Sequence, residues 1–396
     1  MTWRPDRTSV VASLIYLVAC ATAYGGLFSH AYPGDVGTYA QYGRALVLHG
    51  RIPYRDFYDE YPPGSVPVFA APAVIWNAHY VLTFKLLMTL SGLGFTLCAV
   101  WIIRRLALSP LRLAPIVLAP VFMGPVFLNR YDPFPALLCS LALVALLRGQ
   151  EVAAGALLGA GTAIKLYAAV VVPVAARRVR SLTRAGTAYL AAGAVLFLPF
   201  FLLAPGGVGF SLWTQLKRHL QIESLGASIL LAGSKLGIHH EGWIRGKPGS
   251  IDLGGVTADV VGVITSLVAI ALVLAVAWAF WRGPDDDARL VTAFAAAVAA
   301  FVVFGKVLSP QYLTWLVPLV PLAAGRRGRQ AAILFFAVLA ITQLEYLAGR
   351  WGERNQNWTV WVLLGRNLGL VATFGLLLAQ LLESGGRARP QKGYHP

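Results

Sequence analysis

The chain has 396 residues, 57% of them hydrophobic and only 13% charged, whereas an ordinary soluble domain carries about 25% charged residues. That balance excludes a soluble globular enzyme, and repeated apolar runs of about 20 residues mark a polytopic membrane protein. Much of the net charge of +16 sits in short clusters, Arg104-Arg105, Arg177-Arg178-Val179-Arg180 and Arg326-Arg327-Gly328-Arg329, which read as cytoplasmic loops facing anionic lipid rather than as a nucleic-acid surface.

In chain order, a first span is expected over residues 9–28, from a cytoplasmic N-terminus. Arg4 and Arg7 ahead of it would also suit a signal peptide, but many spans follow, so the first helix is read as uncleaved. The loop over residues 29–66 is then outside. It gathers Asp35, Asp56, Asp59, Glu60, three arginines, two histidines and six tyrosines between apolar runs. Pro62, Pro63 and Pro67 mark the return to the membrane, residues 64–77 form a short half-inserted helix, and residues 79–103 cross inward. Residues 113–128 go out and 131–147 come back.

Residues 151–176 look like one span, yet Arg148 and the Arg177 cluster would place both ends inside. Two short half-helices meeting near Lys165 resolve the conflict, because broken helices are tolerated where protein or a wet cavity surrounds them. Residues 186–203 lead to a second outer segment, 204–259, whose stretch FSLWTQLKRHLQIESLGASILL has helical spacing and is expected to lie along the interface. Further crossings are expected over 260–281, 291–304, 311–324, 330–347 and 358–382, with a cytoplasmic tail at 384–396. The expected fold is all-α, about ten to twelve transmembrane helices with short broken helices and two large extracytoplasmic loops. It forms a single unit over 1–383, with both termini inside.

The outer side of this topology collects Asp35, Glu60, Asp132, Lys165, Arg218, Glu223, Lys306, Glu345 and Arg350. Ionisable residues inside apolar runs are costly and mark function by default, and Lys165 and Glu345 are the clearest cases. Bases and carboxylates on one face suit acid–base chemistry beside a bound phosphate. There is no GxxxxGK[ST], no HExxH, no CxxC and no GxSxG, so ATP hydrolysis, zinc hydrolysis and thiol redox chemistry have no support. Cys20, Cys98 and Cys139 lie in apolar runs and read as packing residues. His239, His240 and Glu241 read as a polar loop rather than a metal site.

The pattern of Asp35 followed by GRIPYRDFYDEYPPG resembles the GT-C glycosyltransferases, and most closely glycosyltransferase family 87, which includes mycobacterial polyprenyl-phosphomannose-dependent mannosyltransferases. Asn129-Arg130-Tyr131-Asp132, GALLGAGTAIKLY at 155–167, RHLQIES at 218–224 and KVLSPQYLTWLVPL at 306–319 agree with it. The resemblance implies inverting transfer of a sugar, mannose foremost, from a polyprenyl-phosphate donor to a lipid or glycan acceptor on the outer face of the plasma membrane. It makes Asp35 the general base. Many GT-C members carry two adjacent acids there; this chain has Gly34-Asp35-Val36, so a divalent metal is not supported, and Asp59 and Glu60 stand as rival acids.

On this reading Lys165, Arg218 and Lys306 bind the donor phosphate. Tyr54, Tyr58, Glu60, Tyr61, Asp132, Glu223 and Gln311 face the sugar or acceptor. Plain alternatives stand beside these roles: Asp35 as a helix N-cap, Lys165 as a buried partner of Asp132, Lys306 as an interface residue, and the tyrosines as belt residues. The main rival class is a transporter or lipid flippase, which Lys165, Glu345 and a broken helix would also suit, although the sequence lacks the paired repeats such a protein shows. A second is a non-catalytic membrane scaffold whose outer loops bind a partner.

Overall fold

The structure is a computed structural model and describes residues 6–25, 35–238, 242–245, 251–347 and 357–386. His239, His240, Glu241, Arg350, the side chain of Glu345 and residues 29–34 and 387–396 lie outside what is described.

The chain runs through α1 (Arg7–Gly25), α2 (Val36–His49), α3 (Val66–Trp76) and α4 (Tyr80–Arg105). The expected span over 113–128 is not one helix. Prolines at 110, 115, 120 and 125 cut it into a 3₁₀ turn and three short helices, α5 (Ala114–Val117), α6 (Ala119–Met123) and α7 (Pro125–Leu128). Each proline lacks a backbone N–H and so leaves a gap in the helical ladder, and the residues before Pro110 and Pro125 leave the helical region, Ser109 being extended and Gly124 lying at φ 58°, ψ −143°. Then come α8 (Pro133–Leu147) and α9 (Glu151–Ile164), which ends at Lys165. Lys165 itself is extended, with φ −157° and ψ 118°, and a 3₁₀ stretch and α10 (Val172–Arg178) follow. The break foreseen from the charges is therefore present.

α11 (Leu182–Leu203) lies against α9 at very close range. A Cβ on Gly155 would come 2.2 Å from the Ala185 carbonyl oxygen, and one on Gly159 would come 2.0 Å from that of Tyr189. Glycines four apart let the two backbones touch, which is how apolar helices pack where no hydrophobic force separates them from lipid.

The second outer segment departs from expectation. α12 (Pro205–Leu216) stops before Lys217, and the chain then pairs as β1 (Leu220–Gln221). α13 (Leu225–Lys235) starts afresh, its N-terminus capped by Ser224 Oγ, which accepts from the Ala227 N–H. FSLWTQLKRHLQIESLGASILL is thus two helices with a strand between them, not one interfacial helix. β2 (Gly242–Arg245) and β3 (Ile251–Gly254) complete an antiparallel sheet of order β1-β3-β2, with Leu220 opposite Leu253. This sheet is the one addition to the all-α expectation among the described residues.

α14 (Val256–Arg282) leads to α15 (Asp287–Phe304), which is buried on every side and forms the middle of the core. A helix apolar all round belongs there. The buried Arg289 closes one end, donating to the carbonyls of Ala279 and Phe280 on α14 and Leu381 on the last helix. Prolines at 310, 318 and 321 again break the expected span over 311–324, leaving α16 (Leu313–Leu316) between two 3₁₀ turns. α17 (Gly325–Leu347) and α18 (Asn357–Gly386) end the fold. α18 continues three residues, to Gly386, into the stretch assigned to the tail.

Six helical stretches among the described residues are long and apolar enough to cross a membrane: 7–24, 63–105, 182–203, 256–282, 287–304 and 358–385. Among the described residues the expected crossings at 113–128, 151–176 and 311–324 are broken helices and that at 131–147 is the short α8. α17 is one continuous helix over the crossing expected at 330–347. These elements are in keeping with an all-α polytopic fold that contains short broken helices. The chain is a multi-pass membrane protein.

Candidate active site

Asp35 stands at the N-cap position of α2, but its side chain makes no capping bond. It forms an ion pair with Arg130 and accepts a hydrogen bond from the Tyr61 hydroxyl at 2.9 Å. A quarter of the Asp35 side chain is exposed, against 9% for Arg130. The carboxylate therefore meets solvent while its partner is held from inside. Tyr61 is seated by an aromatic cluster from three other parts of the chain. Its ring lies edge-on to Tyr39 of α2 (5.4 Å), Phe69 of α3 (5.3 Å) and Tyr131 (5.5 Å), and Tyr39 and Phe69 stack at 4.4 Å. All three of these partners are buried.

Arg130 belongs to the corner Asn129-Arg130-Tyr131-Asp132 between α7 and α8, which supplies one charged group to each of two ion pairs, Arg130 to Asp35 and Asp132 to Lys165. Asp132 is fully buried, and its Oδ1 accepts from Lys165 Nζ at 2.7 Å and from Trp315 Nε1 at 2.8 Å. The Lys165 ammonium sits 4.3 Å from the Tyr131 ring centre, 5.2 Å from Trp315 and 5.4 Å from Tyr312. A cation in such a recess gains from the ring faces as well as from its counter-ion. Tyr167, Trp315 and Tyr312 stack in series at 4.1 and 4.3 Å. The first two are buried, and Tyr312 at the end is half-buried.

The loop before α3 and the segment from α12 to β1 meet beside this core. Gln215 Nε2 donates to the Glu60 carbonyl at 2.9 Å, and Tyr58 shares a 3.0 Å hydrogen bond with Thr214, so α12 grips the first loop. Lys306 Nζ donates to the Leu216 carbonyl at the end of α12 (2.7 Å), and the Lys306 carbonyl accepts from the Gln221 N–H at 3.0 Å. The charge of Arg218 acts on Lys165, Lys306 and Tyr312, and that of Glu60 on Tyr312 and Tyr61. Glu223 is half-buried beside Arg366 and Arg130, and burial pushes its carboxyl up to about 7. Its backbone carbonyl accepts from Arg366 (2.6 Å) and Asn367 (3.2 Å) of α18.

Of the residues singled out in the sequence, the structure brings Asp35, Tyr61, Asp132, Lys165, Glu60, Arg218 and Glu223 into one electrostatic neighbourhood around Arg130 and Tyr312. Lys306 adjoins it, with its ammonium spent on the end of α12. Gln311 is turned to Ser309, whose hydroxyl donates to it. Tyr54 is buried against Phe200, and its hydroxyl donates to the Tyr61 carbonyl at 2.6 Å, which leaves no ring face for a sugar. Tyr58 lies edge-on to Phe210. Asp59 is completely buried; one carboxylate oxygen accepts from the Tyr61 N–H (2.9 Å), the other has no partner, and burial pushes the group up to about 7. Among the described residues no three His, Cys, Asp or Glu side chains converge to hold a metal ion.

Sequence reading passed over Arg130, Tyr312, Trp315, Arg366 and Asn367 as individual site residues. Arg366 carried a signal, being an arginine in an apolar run; it is fully buried in α18. Arg130 stood inside a quoted motif of which only Asp132 was given a role. The description "glycosyltransferase family 87" belongs to a family model that matches residues 60–310. The match takes in Arg130, Asp132, Lys165, Arg218, Lys306 and Pro310 and begins after Asp35. No curated protein matches the chain.

Proposed function

The chain belongs to glycosyltransferase family 87, and from that premise we propose that it moves a hexose, mannose foremost, from a polyprenyl phosphate to a lipid or glycan hydroxyl on the outer membrane face. Asp35 accepts the proton of the acceptor hydroxyl. That oxygen attacks the anomeric carbon opposite the phosphate, the bond from carbon to phosphate oxygen breaks, and the sugar leaves with inverted configuration. The electron pair departs on polyprenyl phosphate, and Arg218, with Lys165 behind it, stabilises the developing charge. Fixed charges aimed at a leaving oxygen are commonly worth about 3 kcal/mol each. The half-buried Tyr312 ring takes the role of sugar platform in place of Tyr54.

The observation that carries this reading is the partly exposed Asp35 carboxylate, held by Tyr61 and Arg130 beside the Lys165–Asp132 pair. The experiment is transfer by purified protein in lipid, with radiolabelled polyprenyl-phosphate sugars and a panel of membrane acceptors. Label passing from polyprenyl-phosphomannose to an acceptor supports the reading. Label passing only from another sugar donor corrects the sugar, and label that stays on every donor overturns the donor class and moves the transporter reading ahead.

A further inference from the structure

The ion pair between Asp35 and Arg130 puts a cation on the group that has to accept a proton. A carboxylate whose charge is already met by a guanidinium is a poor proton acceptor. Tyr61 holds the same oxygen, so the carboxylate stays in position whether or not Arg130 is there.

Arg130 is also placed toward the other side of the site. It is two residues from Asp132, which binds Lys165. Its charge acts on Lys165, on the Tyr312 hydroxyl and on Glu223. A guanidinium prefers a phosphate, which it meets with two parallel N–H bonds, over a single carboxylate oxygen already shared with a phenol. Lys165 stands behind, paired with Asp132, and the Lys306 ammonium is engaged with the Leu216 carbonyl. That makes Arg130 a strong candidate for the incoming anion.

We infer that Arg130 is shared between Asp35 and the phosphate of the donor, so that arrival of the lipid phosphate draws the guanidinium away and frees Asp35 to act as the base. This rests on the reading of Asp35 above and deepens it. The base is weak in the empty enzyme and strong only with donor in place. Donor therefore binds productively before acceptor, and no hydroxyl is activated without an anomeric carbon to attack.

The inference is tested by direct binding, without turnover, of a sugar-free polyprenyl phosphate to purified protein in nanodiscs. If Arg130 is shared, Asp35→Asn releases it, and the variant binds the phosphate about tenfold more tightly than the parent, the scale of a carboxylate–arginine coupling. Arg130→Gln binds about tenfold or more weakly, Arg130→Lys falls between it and the parent, and the double variant resembles Arg130→Gln. Asp35 lies at the partly exposed start of a helix, so its variant folds even if Arg130→Gln does not. Affinity in Asp35→Asn equal to or below that of the parent overturns the inference, as does parental affinity in Arg130→Gln. Failure of the underlying reading is separate: Asp35→Asn would then transfer sugar at the parental rate, whatever its affinity. No binding by any form overturns both.

Discussion

Lys165 and Trp315 meet on one oxygen of Asp132, at 2.7 and 2.8 Å. Three broken stretches of chain converge there: the corner after α7, the interruption after α9, and the start of α16. The buried carboxylate ties the site's helices together and sets where the ammonium lies.

Removing either half of that pair leaves an uncompensated buried charge, at a cost of roughly 3–5 kcal/mol. Asp132→Asn is expected to lower the thermal midpoint in detergent sharply. The double variant Asp132→Asn/Lys165→Met recovers much of the loss, because it leaves no charge behind. A double variant as unstable as Asp132→Asn alone would show that the damage lies elsewhere.

Tyr61→Phe deletes the hydroxyl that holds Asp35 and keeps the ring among Tyr39, Phe69 and Tyr131. The fold is expected to survive and the transfer rate to fall about tenfold, since a misoriented base loses its advantage. Rate and thermal midpoint measured side by side separate this from a packing defect, which would lower both.

Tyr312 ends a stack whose inner rings are buried. Tyr312→Phe is expected to stay within about threefold of the parent in kcat/KM, and Tyr312→Ala to lose roughly tenfold, the scale of one lost stacking contact. Equal losses in both variants would assign the role to the hydroxyl instead of the ring.

Gly159→Leu drives a side chain into the Tyr189 carbonyl, where even a Cβ comes within 2.0 Å. The two helices have to part, and the expected cost is at least about 3 kcal/mol, read as loss of folded protein on size exclusion. Gly193→Leu on the neighbouring helix, whose nearest contact is 3.5 Å, is expected to be far milder.

Asp59 makes stability depend on pH. Its carboxyl is pushed up to about 7 by burial, above the ordinary aspartate value. The folded state thus holds a proton that the unfolded chain gives up. That contribution is present below about pH 4 and is lost as pH rises through about 7. The thermal midpoint is expected to fall between pH 5 and pH 8, and Asp59→Asn to flatten that fall, with Glu223 supplying the remainder in the same direction. Parallel curves for parent and variant would contradict it.

The family was legible from its motifs, the break at Lys165 from the arginine clusters on either side of it, and the pairing of Lys165 with Asp132 from the need of an ionisable residue in an apolar run for a partner. The same argument applied to Arg366 would have found a further buried cation. Pairings were not legible: Asp132 and Trp315 are 183 residues apart, and neither lies on a periodic stretch that would bring them together. Proline spacing was visible at 110, 115, 120 and 125, yet hydropathy alone made one span of it. Strands of two and four residues, such as β1 and β3, leave no alternation long enough to read.

Whether Asp35 takes the acceptor proton is decided by single-turnover transfer by Asp35→Asn in lipid, with the parent alongside. The rate is expected to fall by about a thousandfold, within the range for loss of a general base, while the protein stays folded and binds polyprenyl phosphate. A variant transferring sugar within tenfold of the parent would contradict it and turn attention to Asp59 and Glu60.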